Sequence, residues 1–395
     1  MYMNKRNVIV VCADFGMGGI SKSAIEWLRL VEYDKFNITL YIRRNDVLDL
    51  ISFLPDTVNV ITVDSQLKNG FYDNSVRDKI IKIVCAFFRK IGSKYIAKQI
   101  YRWYKYPKQR RQEGVSLRKS YSSFDVAIAY STSDDIPTFV LEEIKADKKY
   151  LFIHQSTPIS KENQKAMHSF DKTFLVSDYL YDKYQKEFPS NKTKFIPLQN
   201  YVSCENIVEM ANREKVEKQK GINFATCGRL VDVKGYDILA DAAIIMKEKG
   251  LNFTWSWIGD GACRRNLENL VSEKALEDYV QILGEKINPY PYMNSCDIYV
   301  QTSKAEALGL TMLEALCLGK PIVSTKTVGG NSIASKYNCA VLADISAQSV
   351  AEALYELSTD DVLRERETEK VRNIDWEKEE SEYKNMWFKL LSGEM

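Results

Sequence analysis

Histidine is scarce: His154 and His168 are the only two in 395 residues. That excludes a histidine-rich metal site and makes each of them conspicuous. The eight cysteines are scattered and include no Cys-x-x-Cys pair. A zinc ribbon or a disulfide framework is therefore not expected, and reduced, buried thiols of a cytoplasmic protein are. No apolar run approaches the roughly 18–20 residues that span a bilayer. The N-terminal residues 1–11 read as a strand, not as a signal peptide. No two aspartates stand two positions apart, which excludes an Asp-x-Asp clamp for a divalent ion. Long low-complexity tracts are missing too. The remaining composition, 45% hydrophobic and 27% charged, is that of an ordinary soluble globular protein.

A chain of this length exceeds one compact core, and two α/β domains of about 200 residues each are expected. Residues 7–13 form an apolar run of strand length. Gly16, Gly18 and Gly19 follow, then a helical pattern over 20–30. A strand, a glycine turn and a helix open a doubly wound domain. Further strand-like runs cover 38–42, 58–63, 126–130, 150–153 and 173–176. A break falls around 196–206, and a second alternating series begins after it. Its strands are expected at 224–228, 254–258, 280–283, 298–301 and 322–324, its helices at 236–249, 264–274 and 309–318. Such alternation predicts parallel sheets in both halves. The expected division is 1–198, 199–375 and a closing helix over 376–395 that carries Trp376, Tyr383, Trp387, Phe388 and Leu391.

A net charge of +2 hides an asymmetry. Residues 77–119 hold fourteen Lys and Arg against Asp78 and Glu113, a local charge of +12. Charge of this size speaks of a partner and not of fold. Ile80, Ile83, Val84, Phe87, Ile91 and Tyr95 share one helical stripe, with Lys82, Lys90 and Lys94 mostly off it. Tyr101, Trp103, Tyr104 and Tyr106 follow among Arg102, Lys105, Lys108, Arg110 and Arg111. Basic residues beside aromatic ones suit an anionic membrane surface, with Lys82, Lys90, Lys94, Trp103, Arg110 and Arg111 as the contacts. A core-packed helix with a solvated basic face remains the alternative. Nucleic acid is not expected, because no nucleic-acid-binding signature accompanies the charge.

The second half carries the chemistry. Glu306 follows a strand, where doubly wound folds bind ligands. Gly309 opens a helix, so the N–H groups of Gly309, Leu310 and Thr311 are free to receive an anion. Glu314 lies a turn further in, where a carboxylate can accept from ribose hydroxyls. Two glutamates eight apart are by themselves common as a solvated helix-end pair. Upstream, a strand ends at Gly228, and Arg229 and Lys234 follow in its loop. Two cations on one loop suit a diphosphate, Arg by its fork and Lys as a point charge. Gly259 ends another strand, and Leu283 closes one where a nucleobase can lie against backbone.

Taken together these segments resemble the retaining glycosyltransferases of family 4, with the GT-B fold, particularly the bacterial members that build polysaccharides and glycolipids. The likeness runs through Gly228–Arg229 to Lys234–Gly235, the Gly259–Asp260–Gly261 turn, residues 288–293, the Glu306 to Glu314 segment and residues 319–324. It covers nearly all of 220–330. The first half matches more loosely, at Gly18 and Gly19 and at Phe152, Ile153 and His154.

The resemblance implies two Rossmann-like domains facing a cleft, with the closing helix returning to the first. It implies that Arg229 and Lys234 neutralise the donor diphosphate, that Glu314 holds the ribose and that Glu306 contacts the transferring sugar. Gly228, Gly259, Leu283, Ala307, Leu308, Gly309, Leu310 and Thr311 would line the donor, with Gly18 and Gly19 facing its phosphates. His154 would stand near the donor sugar and the acceptor oxygen; His168 is read as structural. Two departures stand out. Ala307 replaces a frequent glycine and narrows the sugar pocket, and Asn331-Ser332-Ile333 stands where many members carry a glutamate after Gly329-Gly330.

Negative charge develops on the departing diphosphate. Fixed cations and a helix N-terminus can stabilise it with no metal and no cofactor. The expected enzyme is a metal-independent hexosyltransferase that takes a hexose or N-acetylhexosamine from a UDP-sugar. Its acceptor is lipid-linked or a glycan, and it works peripherally at the inner face of the plasma membrane. Competing readings are a GT-B-fold sugar-nucleotide epimerase and a non-catalytic sugar-nucleotide-binding protein docked on a membrane.

Overall fold

The computed structural model describes residues 5–16, 18–44, 48–63, 80, 83–84, 86–87, 90, 93, 107, 109–133, 135–154 and 159–395. The chain divides into two compact units. One comprises Met1–Leu175, Tyr184–Leu198 and Tyr383–Met395, the other Val176–Lys183 and Gln199–Glu382. Both are parallel α/β, as the alternating pattern predicts.

Among the described residues the first unit has seven strands: β1 (Arg6–Cys12), β2 (Phe36–Ile42), β3 (Asn59–Thr62), β4 (Phe124–Ala129), β5 (Ala146–Ile153), β6 (Lys172–Leu175) and β7 (Phe195–Pro197). Their order is β3-β2-β1-β4-β5-β6-β7, and every pairing is parallel. The continuous run of β1 is explained by burial on both faces, since Val8, Ile9, Val10 and Val11 are all fully buried. The sequence reading placed a break where β7 stands. Three residues ending in proline carry no periodicity of their own, and pairing with β6 makes them a strand.

The last helix runs Trp376–Leu391, and its residues from Tyr383 onward belong to the first unit. Trp387 stacks on Trp27 with centroids 3.9 Å apart and planes 7° apart, and on Phe152 at 5.3 Å. This aromatic column joins the helix Gly19–Arg29, the end of β5 and the chain terminus.

A buried charge cluster ties the helical residues 109–120 to the first sheet. Arg43, just after β2, donates from Nε to Glu113 at 2.7 Å and from Nη1 to Asp135, which precedes the helix Ile136–Glu143. Arg110 donates to the same Asp135 at 3.2 Å and pairs with Glu142 at 3.0 Å. Arg110 was expected on a lipid-facing surface; it is 8% exposed and committed to two carboxylates. Sequence spacing could not show this, because its partners lie 25 or more residues away. Lys82, Lys94 and Trp103 lie outside the described residues. Lys90 and Arg111 are described and exposed. Among the described residues no helix is long and apolar enough to cross a membrane.

The second unit has six strands: β8 (Ile222–Cys227), β9 (Phe253–Ile258), β10 (Val280–Gly284), β11 (Ile298–Gln301), β12 (Ile322–Thr325) and β13 (Ala340–Ala343). They run in the order β10-β9-β8-β11-β12-β13, again parallel. Alternation sorts the side chains between two cores. Phe224, Trp255, Trp257, Ile298 and Val300 pack with Leu239, Ala243 and Met246 of the helix Tyr236–Glu248. Ala225, Cys227, Ile258, Tyr299 and Ile322 face Met312, Leu313 and Leu316 of the helix Leu310–Cys317. The described cysteines are free thiols, and burial pushes that of Cys12 up to about 12.

Candidate active site

In the second sheet β8 is followed outward by β9 and β10, and the chain then returns to place β11 on the other side of β8. The carboxyl ends of β8 and β11 therefore bound a topological switch point, where open parallel sheets bind ligands. The loops after these two strands carry Lys234 and Glu306.

Lys234 ends a single 3-10 turn, Asp232–Lys234. The other loop straps that turn in place. Lys304 N donates to Val233 O at 2.8 Å, and Thr302 Oγ1 donates to Lys234 O at 3.0 Å. The Lys304 ammonium pairs with Asp232 and Asp237, each at 2.9 Å. The ammonium of Lys234 is thereby held against Glu306 Oε2 in an ion pair. Both side chains are partly solvated, so the pair is open to exchange with a ligand. Gln301 Nε2 also donates to Glu306 Oε2, at 3.3 Å, and Ser303 Oγ lies at 3.5 Å.

Gly309 is the N-cap of the helix Leu310–Cys317, with φ +78°. A side chain there is strained by the left-handed backbone, and its Cβ would meet Met312 Cε at 2.3 Å and Glu306 Cγ at 3.2 Å. Gly329 is demanded by close approach: a Cβ would meet Leu308 O at 2.7 Å and Glu306 Cγ at 3.0 Å, while its N–H donates to Glu306 O at 2.9 Å. Together the two glycines hold the 306–308 loop against the helix start. Among the described residues the N–H groups of Gly309, Leu310 and Thr311 have no backbone acceptor, which is the geometry that receives an anion. Glu314, one turn in, is 2% exposed. Tyr290 Oη donates to its Oε1 at 3.3 Å.

Of the expected residues, the fold brings Lys234, Glu306 and the helix start with Glu314 to one edge. Arg229 follows Gly228 at the same edge; it is exposed and makes no ion pair among the described residues. Trp257 Nε1 donates to Gly228 O at 3.1 Å and Gly259 N to Gly284 O at 2.8 Å, which fixes the ends of β8, β9 and β10. Leu283 and Ala307 are half-buried, and Leu308 is buried in the core. Sequence reading passed over Gln301 and Tyr290. A glutamine ending an otherwise apolar four-residue strand was the available signal for the first. The second lies in the 288–293 segment that carries the resemblance, but no role was assigned to it there.

Gly18, Gly19 and His154 belong to the first unit. Gly18 caps the helix Gly19–Arg29, and a Cβ on it would meet nothing within 4 Å. His154 follows β5 with its ring 4.6 Å from that of Tyr130, edge to face. Both ring nitrogens are buried. Burial lowers its pKa to about 3, against a weak opposing pull from the Tyr130 backbone. The imidazole is neutral in the folded chain. The folded value lies below the unfolded one, so this contribution to stability is full above about pH 6.5 and is lost as pH falls toward the folded value, by up to about 1.4 kcal/mol per pH unit. His154→Gln is expected to flatten that part of the pH dependence. Urea unfolding at about pH 7 and about pH 5 checks it, and equal slopes in variant and parent would refute it. His168 bonds to Asn191 Oδ1 at 2.8 Å through Nδ1.

Residues 208–374 match the family described as glycosyl transferases group 1. A lipopolysaccharide core biosynthesis glycosyltransferase of Rhizobium meliloti, LpsD, is 32% identical over 141 residues, 35% of this chain and 40% of that one. An uncharacterized glycosyltransferase of Methanocaldococcus jannaschii is 27% identical over 216 residues, 53% of this chain and 56% of that one. The chain thus spans about half the length, or less, of these curated relatives. Among solved structures, Anabaena HepE in complex with UDP and glucose superposes with a TM-score of 0.67 at 15% identity, covering 98% of this chain and 99% of that one. Staphylococcus aureus TarM does so with a TM-score of 0.71 at 12% identity, over 98% and 99%. These likenesses establish the fold as that of the GT-B glycosyltransferases.

Proposed function

We propose, for a chain that carries a glycosyl transferases group 1 domain in a GT-B fold, that it is a retaining, metal-independent hexosyltransferase of family 4. It moves a hexose or N-acetylhexosamine from a UDP-sugar to a lipid-linked saccharide or glycolipid in cell-surface polysaccharide synthesis. The carrying observation is the Lys234–Glu306 ion pair beside the open N-terminus of Leu310–Cys317. The names of the relatives, which speak of lipopolysaccharide core biosynthesis, support the acceptor class. A neighbour named with UDP and glucose supports the donor.

In this mechanism the donor diphosphate draws Lys234 away from Glu306 and takes the N–H groups at 309–311, with Arg229 as a second cation. Glu314 accepts from the ribose, and the freed Glu306 carboxylate accepts from sugar hydroxyls. The anomeric C–O bond to phosphate breaks with its electron pair leaving on the nucleotide. The acceptor oxygen bonds to the same face, and its proton passes to the departing phosphate oxygen. Thermal shift over a panel of nucleotide sugars, followed by donor hydrolysis with and without chelator, tests the reading. Turnover of a UDP-sugar that survives chelation is expected. Affinity without turnover would mark a binding protein, and recovery of an epimerised sugar nucleotide would mark an epimerase.

The basic segment supplies the membrane part. Ile80 and Ile83 fall on one helical stripe and are 52% and 68% exposed, and Lys90, off that stripe, is exposed as well. Apolar side chains held in water within a stretch of charge +12 fit an anionic lipid surface, at the inner face of the plasma membrane. The double change Lys90→Glu and Arg111→Glu is expected to weaken binding to phosphatidylglycerol vesicles at least about tenfold. Unchanged sedimentation with vesicles counts against this surface.

A further inference from the structure

One polar side chain of the site has no role in the mechanism above. Gln301 is the last residue of β11 and 1% exposed. Burying an amide is costly unless all its hydrogen-bonding capacity is met, and here four partners meet it. Nε2 donates to Ser303 Oγ at 2.8 Å and to Glu306 Oε2 at 3.3 Å. Oε1 accepts from Tyr299 Oη at 3.1 Å and from Thr311 Oγ1 at 3.4 Å. The amide orientation follows from these partners: a flipped group would aim its N–H bonds at two hydroxyls and its oxygen at a carboxylate. Tyr299 Oη is itself anchored at the end of β8, accepting from Cys227 N at 3.2 Å.

We propose that Gln301 is the positioning residue of the donor site: it holds the Glu306 carboxylate in place when Lys234 leaves it for the donor diphosphate. This rests on the donor-site reading above. In the ligand-free chain Glu306 Oε2 is shared between the Lys234 ammonium, the Gln301 amide and, more weakly, the Ser303 hydroxyl. Once the ammonium turns to phosphate, the carboxylate keeps only the neutral donors. A carboxylate left without them would swing toward solvent and lose the sugar. The same amide accepts from Thr311, so the sugar-contacting carboxylate and the first turn of the phosphate-binding helix are referred to one buried group. A neutral donor suits the task, because it does not compete with Lys234 for the diphosphate.

Gln301→Glu and Gln301→Met separate this role from simple packing. Glutamate keeps the shape and the acceptor for Tyr299 and Thr311, but when ionised it presents a charge to Glu306 in place of an N–H. Burial and that neighbour raise the pKa of the new acid, and once protonated it donates as the amide did. Relative to the parent at the same pH, the kcat of Gln301→Glu for UDP-sugar hydrolysis is expected to fall about tenfold at about pH 8 and to recover toward the parent at about pH 6. The donor KM changes by less than about threefold, because the diphosphate contacts remain. Gln301→Met, which has no donor, stays low at both pH values. Melting temperatures give a substrate-free version: the deficit of Gln301→Glu closes as pH falls, and that of Gln301→Met does not. The proposal is overturned if Gln301→Glu tracks the parent at both pH values, or if it falls as Gln301→Met does with no recovery. A parent chain that neither binds nor turns over any UDP-sugar instead overturns the donor reading, and the melting comparison then still decides whether Gln301 holds Glu306.

Discussion

Lys234→Met is expected to lower kcat/KM for UDP-sugar turnover by about two decades, corresponding to about 3 kcal/mol of lost transition-state stabilisation. The reason is geometric. The loop that carries Lys234 is strapped by Lys304 and Thr302 at the mouth of β8 before any ligand arrives, so its charge reaches the leaving diphosphate by a turn of the side chain away from Glu306. Arginine restores only part of the loss, since a planar fork does not reproduce a point charge at this site. UDP affinity by calorimetry should fall together with turnover. A Lys234→Met enzyme with unchanged kcat/KM would remove Lys234 from the donor site and with it the ion pair as a marker of function.

Asp135→Ala is expected to destabilise the first unit by about 3–5 kcal/mol in urea unfolding. Its side chain is 4% exposed and is shared by two guanidinium groups, those of Arg43 and Arg110. Without it, Arg43 keeps Glu113 and Arg110 keeps the half-exposed Glu142, so positive charge remains in a place that water reaches poorly. Glu142→Ala provides the contrast, because an exposed partner contributes about 0–1 kcal/mol. Equal losses in the two variants would show that the cluster has no structural weight. The cluster also bears on the membrane surface. It anchors the helical residues 109–120, which follow the exposed stripe, so vesicle binding should weaken in Asp135→Ala even though the residue itself never meets lipid.

How far the sequence could be read varies from residue to residue. The strand runs 7–13 and 298–301 emerge almost where expected, because a strand buried on both faces needs a continuous apolar run whatever surrounds it. β7 and β13 escaped notice: three or four residues carry too little pattern, and pairing with a neighbour makes them strands. Lys234 and Glu306 were each recognisable from their loops, but their pairing across 72 positions was not. Arg110 read as one more surface cation, and only the chain that returns with Asp135 and Glu142 made it internal.

By itself the sequence determined the parallel α/β architecture, the glycine that opens the helix Leu310–Cys317, the two glutamates eight apart and the basic stretch. These depend on periodicity, turn chemistry and local charge, which act over a few residues. The tertiary structure alone decided that Lys234 rests on Glu306, that Gln301 stands behind that carboxylate, that His154 is neutral and that Arg110 is buried. Those outcomes depend on desolvation and on partners brought from far along the chain, and neither quantity exists until the strands are ordered into a sheet.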